Sequence, residues 1–436
     1  MKISDFELKI GIEAYYTPYP GIGGKLRSVT EDFLVEEIFS YPEQVENGNF
    51  VIAEVSNKNW ETHRLVKELS KKLHISRMRI GFAGTKDKRS YSTQLMSFKN
   101  ITKDELKDIK LKDVSFDNIY SSNKAVNIGK LIGNKFRIVI RNIDKNVSSN
   151  QIQKIVLYLK EQGGYPNYYG IQRFGVVRPI THLVGKHIVQ GDFEKAVMKY
   201  IGYPIEGEPD ETYELRKELE KTKDFSKALD SYPVYLNFEK AILNKLVLDP
   251  NDFVSALKEL PKNLLTMFIN AYQSYLFNKI LSKRICQNIP LNKAIIGDII
   301  IPIRKDKKSD DFIFVKQSNI EKVNKQISKK KAFVSGLLVG NNPIFSNGEM
   351  GEIEHSIIEQ EKIDYRDFIV PEISFISSSG SRRALFATIT DFDWKLKSDK
   401  FNKGKQELNT KFELQKGCYA TSLLREFMKS SDAMSY

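Results

Sequence analysis

Apolar and polar positions alternate with a short period along the first third of the chain, which predicts strands joined by polar turns. RSVTEDFLVEEI (27–38) reads as a strand with acidic flanks, and FVIAEVS (50–56) as a second one. In THRLVKELSKKLH (62–74), Leu65, Leu69 and Leu73 share one face at helical spacing, with Val66 beside them. RIGFAGTKDKRSYSTQLMSF (79–98) has strand-like ends around a polar, glycine-containing centre, so its chemistry-prone side chains should sit on a loop. FRIVIR (136–141) alternates again after Gly133-Asn134. Ser148-x-x-Gln151 has the form of a capping box opening the helix QIQKIVLYLKEQ, which Gly163-Gly164 should stop.

From about residue 178 the pattern changes to longer, helix-rich elements, including PKNLLTMFINAYQSYLFNKILSKRI (261–285). Short strands return over 288–345, interrupted by the polar loop RKDKKSDDF (304–312). RALFATIT (383–390) reads as a strand, 396–410 as a polar loop, and TKFELQKGCYATSLLREFMK (410–429) as strand, glycine turn and helix. The last strands need neighbours, and the N-terminal sheet is the simplest source. The expected organisation is therefore α+β, with residues 1–177 and 366–436 forming one domain and 178–365 inserted within it.

Length agrees, since 436 residues exceed the size at which a single core stops growing, about 250–300 residues. Hydrophobic residues make up 41%, enough for more than one core. A net charge of +13 suits a polyanionic partner, and equally suits a lysine-rich proteome with solvated side chains. Two distant cysteines, Cys286 and Cys418, and five scattered histidines build neither a disulfide framework nor a zinc cluster. MKISDFELKI lacks the apolar core of a signal peptide, and no apolar run approaches the roughly 18–20 residues of a membrane span. A soluble, cytoplasmic, monomeric protein is expected.

Three clusters carry candidate chemistry. Gly84-Thr85-Lys86-Asp87-Lys88-Arg89 sets one carboxylate among three cations. Those cations can keep Asp87 ionised and hold phosphates, while an ionised aspartate can serve as base or nucleophile. Taken alone, the motif reads as an exposed turn. Asn167-Tyr168-Tyr169-Gly170-Ile171-Gln172-Arg173-Phe174-Gly175 interleaves aromatics with Gln and Arg. Such a run fits base stacking and hydrogen bonding, or equally a buried aromatic corner with Arg173 in an ion pair. In Gly133-Asn134-Lys135-Phe136-Arg137, Asn134 offers the donor and acceptor that a uracil edge requires, and Phe136 a stacking face. A hairpin turn entering a strand accounts for the same residues. Walker, Rossmann, HExxH and GxSxG signatures are absent from the sequence.

Six blocks, in order, resemble the TruD family of tRNA pseudouridine synthases, in wording closer to its archaeal members. They are KLRSVTEDFLVEEI (25–38), FAGTKDKRSYSTQ (82–94), GNKFRIVIR (133–141), PNYYGIQRFG (166–175), NAYQSYLFN (270–278) and FELQKGCYATSLLREFM (412–428). The resemblance implies a pseudouridine synthase fold with a mixed, largely antiparallel sheet, plus an inserted α/β TRUD domain. It implies that Asp87 is the catalytic aspartate, that Arg27 orients it, and that Phe136 stacks on the target base. Asn134, Lys86, Lys88, Arg89, Tyr169, Gln172 and Arg173 are the further expected substrate contacts. The implied substrate is tRNA at uridine 13, with uridine 35 of tRNA-Tyr as a second target. No cofactor and no metal are expected, because isomerising uridine needs neither redox change nor energy input. The competing expectation is an RNA-binding protein that keeps the fold without the reaction.

Overall fold

The computed structural model describes residues 2–303 and 312–436, so the polar loop expected at 304–312 lies outside the described residues apart from Phe312. The chain is mixed α+β and forms two compact units. One contains Tyr19–Tyr165, Ala387–Ser430 and the last two residues. The other contains the N-terminal stretch to Pro18, Pro166–Phe386 and Ser431–Met434.

These boundaries differ from the expected 177/178 and 365/366. The composition changes near 178, but the hydrogen bonding changes earlier. The Asn167 amide donates to the Ala384 carbonyl at 2.9 Å, and the Tyr169 N–H to Asn278 Oδ1 at 2.9 Å. Asn278 in turn donates to the Ile10 carbonyl at 3.0 Å, which draws the N-terminal segment into the same unit. That unit is helix-rich, organised around the long helix Lys262–Cys286, and carries a four-stranded antiparallel sheet.

The other unit is built on one nine-stranded sheet. Its strands are β1 (Gly23–Lys25), β2 (Phe33–Ile38), β3 (Phe50–Lys58), β4 (Ile80–Phe82), β5 (Tyr91–Lys99), β6 (Val114–Ser122), β7 (Gly133–Ile143), β8 (Ile389–Ser398) and β9 (Gln406–Gln415). Seven run in the order β8-β9-β7-β2-β5-β3-β6, with β1 added to β7 and β4 to β5. The one parallel pairing is β2 with β5. The C-terminal strands do join the N-terminal sheet, through β9 on β7. Helix α1 (Thr62–Lys72) packs Leu65, Val66 and Leu69 onto Val51, Ala53, Val55, Met96 and Phe98, as its apolar spacing requires. Helix α2 (Ser149–Gln162) is capped by Ser148, whose hydroxyl accepts the Gln151 N–H, and ends at Gly163 with φ +85°.

The expected polar loop at 396–410 is instead the tight end of the β8–β9 hairpin, with strand up to Ser398 and again from Gln406. Lysines alternating with apolar residues on an edge strand concealed it. The turn is built on Asp399, whose carboxylate accepts the N–H groups of Phe401 (2.8 Å) and Asn142 (2.8 Å) and the side-chain amide of Asn402 (2.8 Å). Arg141 on β7 lies at the centre of this region. It pairs bidentately with Asp32 just before β2, and also with Glu407 and with Asp399 at 3.4 Å. Asp32 itself accepts the Val29 N–H at 3.1 Å. The guanidinium thus joins the turn before β2, strand β7 and the C-terminal hairpin.

Arg141→Leu strands three buried carboxylates and should cost about 3–5 kcal/mol in urea unfolding. Burial works against the charge on Asp399, but the donors of Asn142, Asn402 and Phe401 outweigh it and hold its pKa at about 2. Its folded pKa lies below the unfolded one, so its contribution is complete above the ordinary carboxylate range and is lost as pH falls toward 2. Acid titration of unfolding should show that loss below about pH 4, and Asp399→Asn should flatten it.

Candidate active site

Two segments bring the first pair of predicted residues together. Arg27 precedes the short 3-10 turn Thr30–Asp32 that leads into β2, and Asp87 lies on the loop between β4 and β5. Arg27 Nη2 stands 3.6 Å from Asp87 Oδ2. Burial is unequal: the arginine side chain is 7% exposed and the aspartate side chain 66%. The guanidinium lies over the Phe33 ring, 4.1 Å from its centroid, and Arg27 Nε is buried without a hydrogen-bond partner. Burial pulls the Arg27 pKa down, with Arg89 adding to that and the Asp87 charge opposing it. A guanidinium remains protonated throughout. The result is a fixed cation holding a carboxylate that solvent, or a substrate, can reach.

The backbone of Arg27 is left-handed, with φ +53°, a conformation that costs a non-glycine residue of order 1–3 kcal/mol. Two contacts hold the segment. Arg89 Nη2 donates to the Arg27 carbonyl at 3.1 Å, and the Leu26 N–H donates to the Ser435 carbonyl at 2.8 Å. Arg89 therefore braces Arg27, and its guanidinium is not simply a free phosphate ligand. Lys88 is exposed beside Asp87. Lys86, expected among the phosphate-facing cations, is buried at 8% exposure and paired with Glu37 of β2.

The second predicted pair lies on β7. Phe136 is paired in register with Val35 of β2 and Phe412 of β9, and Asn134 with Glu37 and Leu414. A Cβ on Gly133 would stand 2.3 Å from the Leu414 carbonyl oxygen, so only glycine allows this approach of β7 to β9. The Phe136 ring stacks on Phe412 with centroids 5.4 Å apart and meets Phe33 edge-on at 6.2 Å. Phe33 thus touches both the guanidinium and the Phe136 ring. Phe136 is mostly buried, with one face occupied by Phe412. Asn134 Oδ1 is buried without a hydrogen-bond partner, an acceptor left for something to satisfy.

Tyr169, Gln172 and Arg173 belong to the other unit. There Tyr168, Tyr169 and Phe174 are buried, and the Arg383 guanidinium lies 4.1 Å from the Tyr169 ring centroid. Arg173 Nε donates to the Ser274 hydroxyl at 3.2 Å. Of the two readings of that block, the geometry matches the aromatic corner, with Arg173 bound to a serine. Sequence reasoning gave no role to Phe33, Glu37 or Phe412. Glu37 did leave a signal, because it occupies a buried phase of the FLVEEI alternation, where a carboxylate needs a partner.

Among the described residues, no group of three or more His, Cys, Asp or Glu side chains is arranged to hold a metal ion, and no helix is long and apolar enough to cross a membrane.

Residues 9–427 match the family described as tRNA pseudouridine synthase D (TruD). A Methanococcoides burtonii protein named "Probable tRNA pseudouridine synthase D" is 41% identical over 433 residues, 98% of each chain. A Pyrococcus abyssi protein of the same name is 36% identical over 417 residues, covering 95% of this chain and 98% of its own length. The crystal structure of a Methanosarcina mazei protein assigned to tRNA pseudouridine synthase D superposes with a TM-score of 0.87 at 38% identity, covering 100% of both chains. The chain belongs to the TruD family of tRNA pseudouridine synthases.

Phe412 is fully buried behind Phe136. Phe412→Ala should therefore cost about 3–5 kcal/mol of stability, measured by denaturant unfolding, and Phe412→Leu clearly less.

Proposed function

We propose that this chain isomerises uridine to pseudouridine in tRNA, with Asp87 as the catalytic carboxylate. The observation that carries the reading is the Arg27–Asp87 pair, in which the cation is buried and the carboxylate open. The names of the relatives supply the substrate class. The reaction breaks the C1′–N1 bond, turns the uracil and joins C1′ to C5. N1 gains a proton and C5 loses one, so the product is an isomer and nothing else is consumed.

In this reading Arg27 holds the Asp87 carboxylate aimed at the sugar or the base. Phe136, backed by Phe412, forms the floor beneath the base, and the unpartnered Asn134 Oδ1 accepts a hydrogen bond from the uracil edge. Flipping the uridine out of its stack costs a few kcal/mol. Base stacking can return roughly 1–3 kcal/mol of that. Lys88 and other exposed cations of this +13 chain hold phosphates. The specific target we propose is uridine 13, with uridine 35 of tRNA-Tyr as a second, on the strength of the archaeal resemblance. A pure RNA binder gains nothing from an open carboxylate facing phosphates, which disfavours the non-catalytic alternative.

Purified protein incubated with unmodified tRNA transcripts should produce a new carbodiimide-dependent stop at uridine 13. Asp87→Asn should abolish it while leaving tRNA affinity within about twofold, because the phosphate contacts supply most of the binding. An active Asp87→Asn enzyme would remove the assignment. Lys88→Ala should weaken binding to every tRNA alike and lower the slope of log K against log salt by about one.

A further inference from the structure

A buried ion pair lies one residue away from Asp87. The Glu37 side chain is 0% exposed and that of Lys86 7%. Lys86 Nζ donates to Glu37 Oε1, and Glu37 Oε2 accepts the Leu95 N–H of β5 at 3.2 Å. The Lys86 backbone is held as well. Its N–H donates to Thr62 Oγ1 at 2.8 Å, and its carbonyl accepts the Thr62 N–H at 3.4 Å. Thr62 is the first residue of α1 and is fully buried. On the far side of Asp87, Ser90 Oγ donates to the Asp87 carbonyl at 2.8 Å. The loop between β4 and β5 is therefore fastened immediately before and three residues after the carboxylate, while the Asp87 side chain itself touches only the fastened Arg27 among the ion pairs described.

We infer that Glu37 and Lys86 are positioning residues for Asp87, and that the Lys86 ammonium acts inward on β2 and not outward on phosphate. A buried pair contributes little net stability compared with an apolar pair of equal volume, because desolvation offsets the attraction. Its directional bond instead fixes which residue of the loop faces inward. Lys86 is the one buried residue of the run 85–89, and with it inward its neighbours Thr85 and Asp87 are exposed. Displacing a reacting group by about 1 Å can cost 100-fold in rate, and the pair prevents that displacement. Asn134, opposite Glu37 in the β2–β7 register, places the unpartnered acceptor and the anchor on neighbouring strands.

This inference rests on the assignment of Asp87, and the test separates the two. Glu37→Asp, Lys86→Met and the double variant Glu37→Leu/Lys86→Met would be assayed beside Asp87→Asn for single-turnover rate on unmodified tRNA, tRNA affinity and thermal unfolding. A positioning role predicts that Glu37→Asp, which keeps the charge but shortens the reach, loses roughly 10–100-fold in rate at a temperature where it remains fully folded, with tRNA affinity nearly unchanged. The apolar double variant should regain the stability lost by Lys86→Met without regaining the rate. Lys86→Arg should keep part of the rate. If the rate follows the folded fraction in every variant, or if Glu37→Asp turns over like the wild type, the pair is structural only. If Lys86→Met weakens tRNA affinity in proportion to the rate, the ammonium reads phosphate and the inference is wrong. An active Asp87→Asn would instead overturn the reading of the site itself.

Discussion

The guanidinium of Arg27 is confined by the Phe33 ring, by its own unusual backbone and by the Arg89 brace, and everything proposed for the site depends on that confinement. A carboxylate on a surface loop has no fixed direction, because rotamer freedom and solvent screening defeat a weak surface ion pair. Here one partner is buried and braced. The attraction at 3.6 Å is modest, but it acts from a fixed point, and a directional preference results. The cost is the left-handed backbone at Arg27, a strain tolerated where the surrounding structure leaves no alternative.

Other parts of the unit converge on that point. Asp32, five residues after Arg27, is tied to Arg141 on the strand that carries Asn134 and Phe136. The same arginine reaches the C-terminal hairpin, whose strand β9 supplies Phe412 behind Phe136. Glu37, on the strand that begins with Phe33, reaches the loop of Asp87 through Lys86. Charge pairs thus set the distances between segments, while the aromatic rings of Phe33, Phe136 and Phe412 fill the space between them.

Much of this was legible in the sequence wherever the signal was local. The strands at 33–38, 50–58 and 133–143, helix α1 and the capped helix α2 follow from periodicity and end residues. Asp87 and Arg27 could be named from their blocks, and the structure brings them into contact. What escaped depended on partners far along the chain. Lys86 looks like Lys88 in the sequence, and only the carboxylate of Glu37 separates their fates. The aromatic block at 167–175 fitted bases and a buried corner equally in the sequence, because the cation over its Tyr169 ring, Arg383, is more than two hundred residues away. Residues 399–405 looked unstructured because the donors that order them include the backbone of Asn142. The edge between the units at Tyr165/Pro166 follows the contacts within each unit, while composition changes only near 178.

Strand β7 pairs with β1 and β2 from early in the chain and with β9 from its end: Thr410 donates to the Ile138 carbonyl across a separation of 272 residues. During translation, the half-sheet up to residue 165 therefore emerges with an open edge and with Phe136 unbacked, and it stays so while the whole intervening unit is synthesised. Long-range closure of this kind slows folding and leaves a sticky strand edge waiting for its mate. The Phe412 backing of Phe136 arrives only after the final hairpin has left the ribosome, so a truncated product from an interrupted message would carry Arg27 and Asp87 beside an unbacked Phe136 ring.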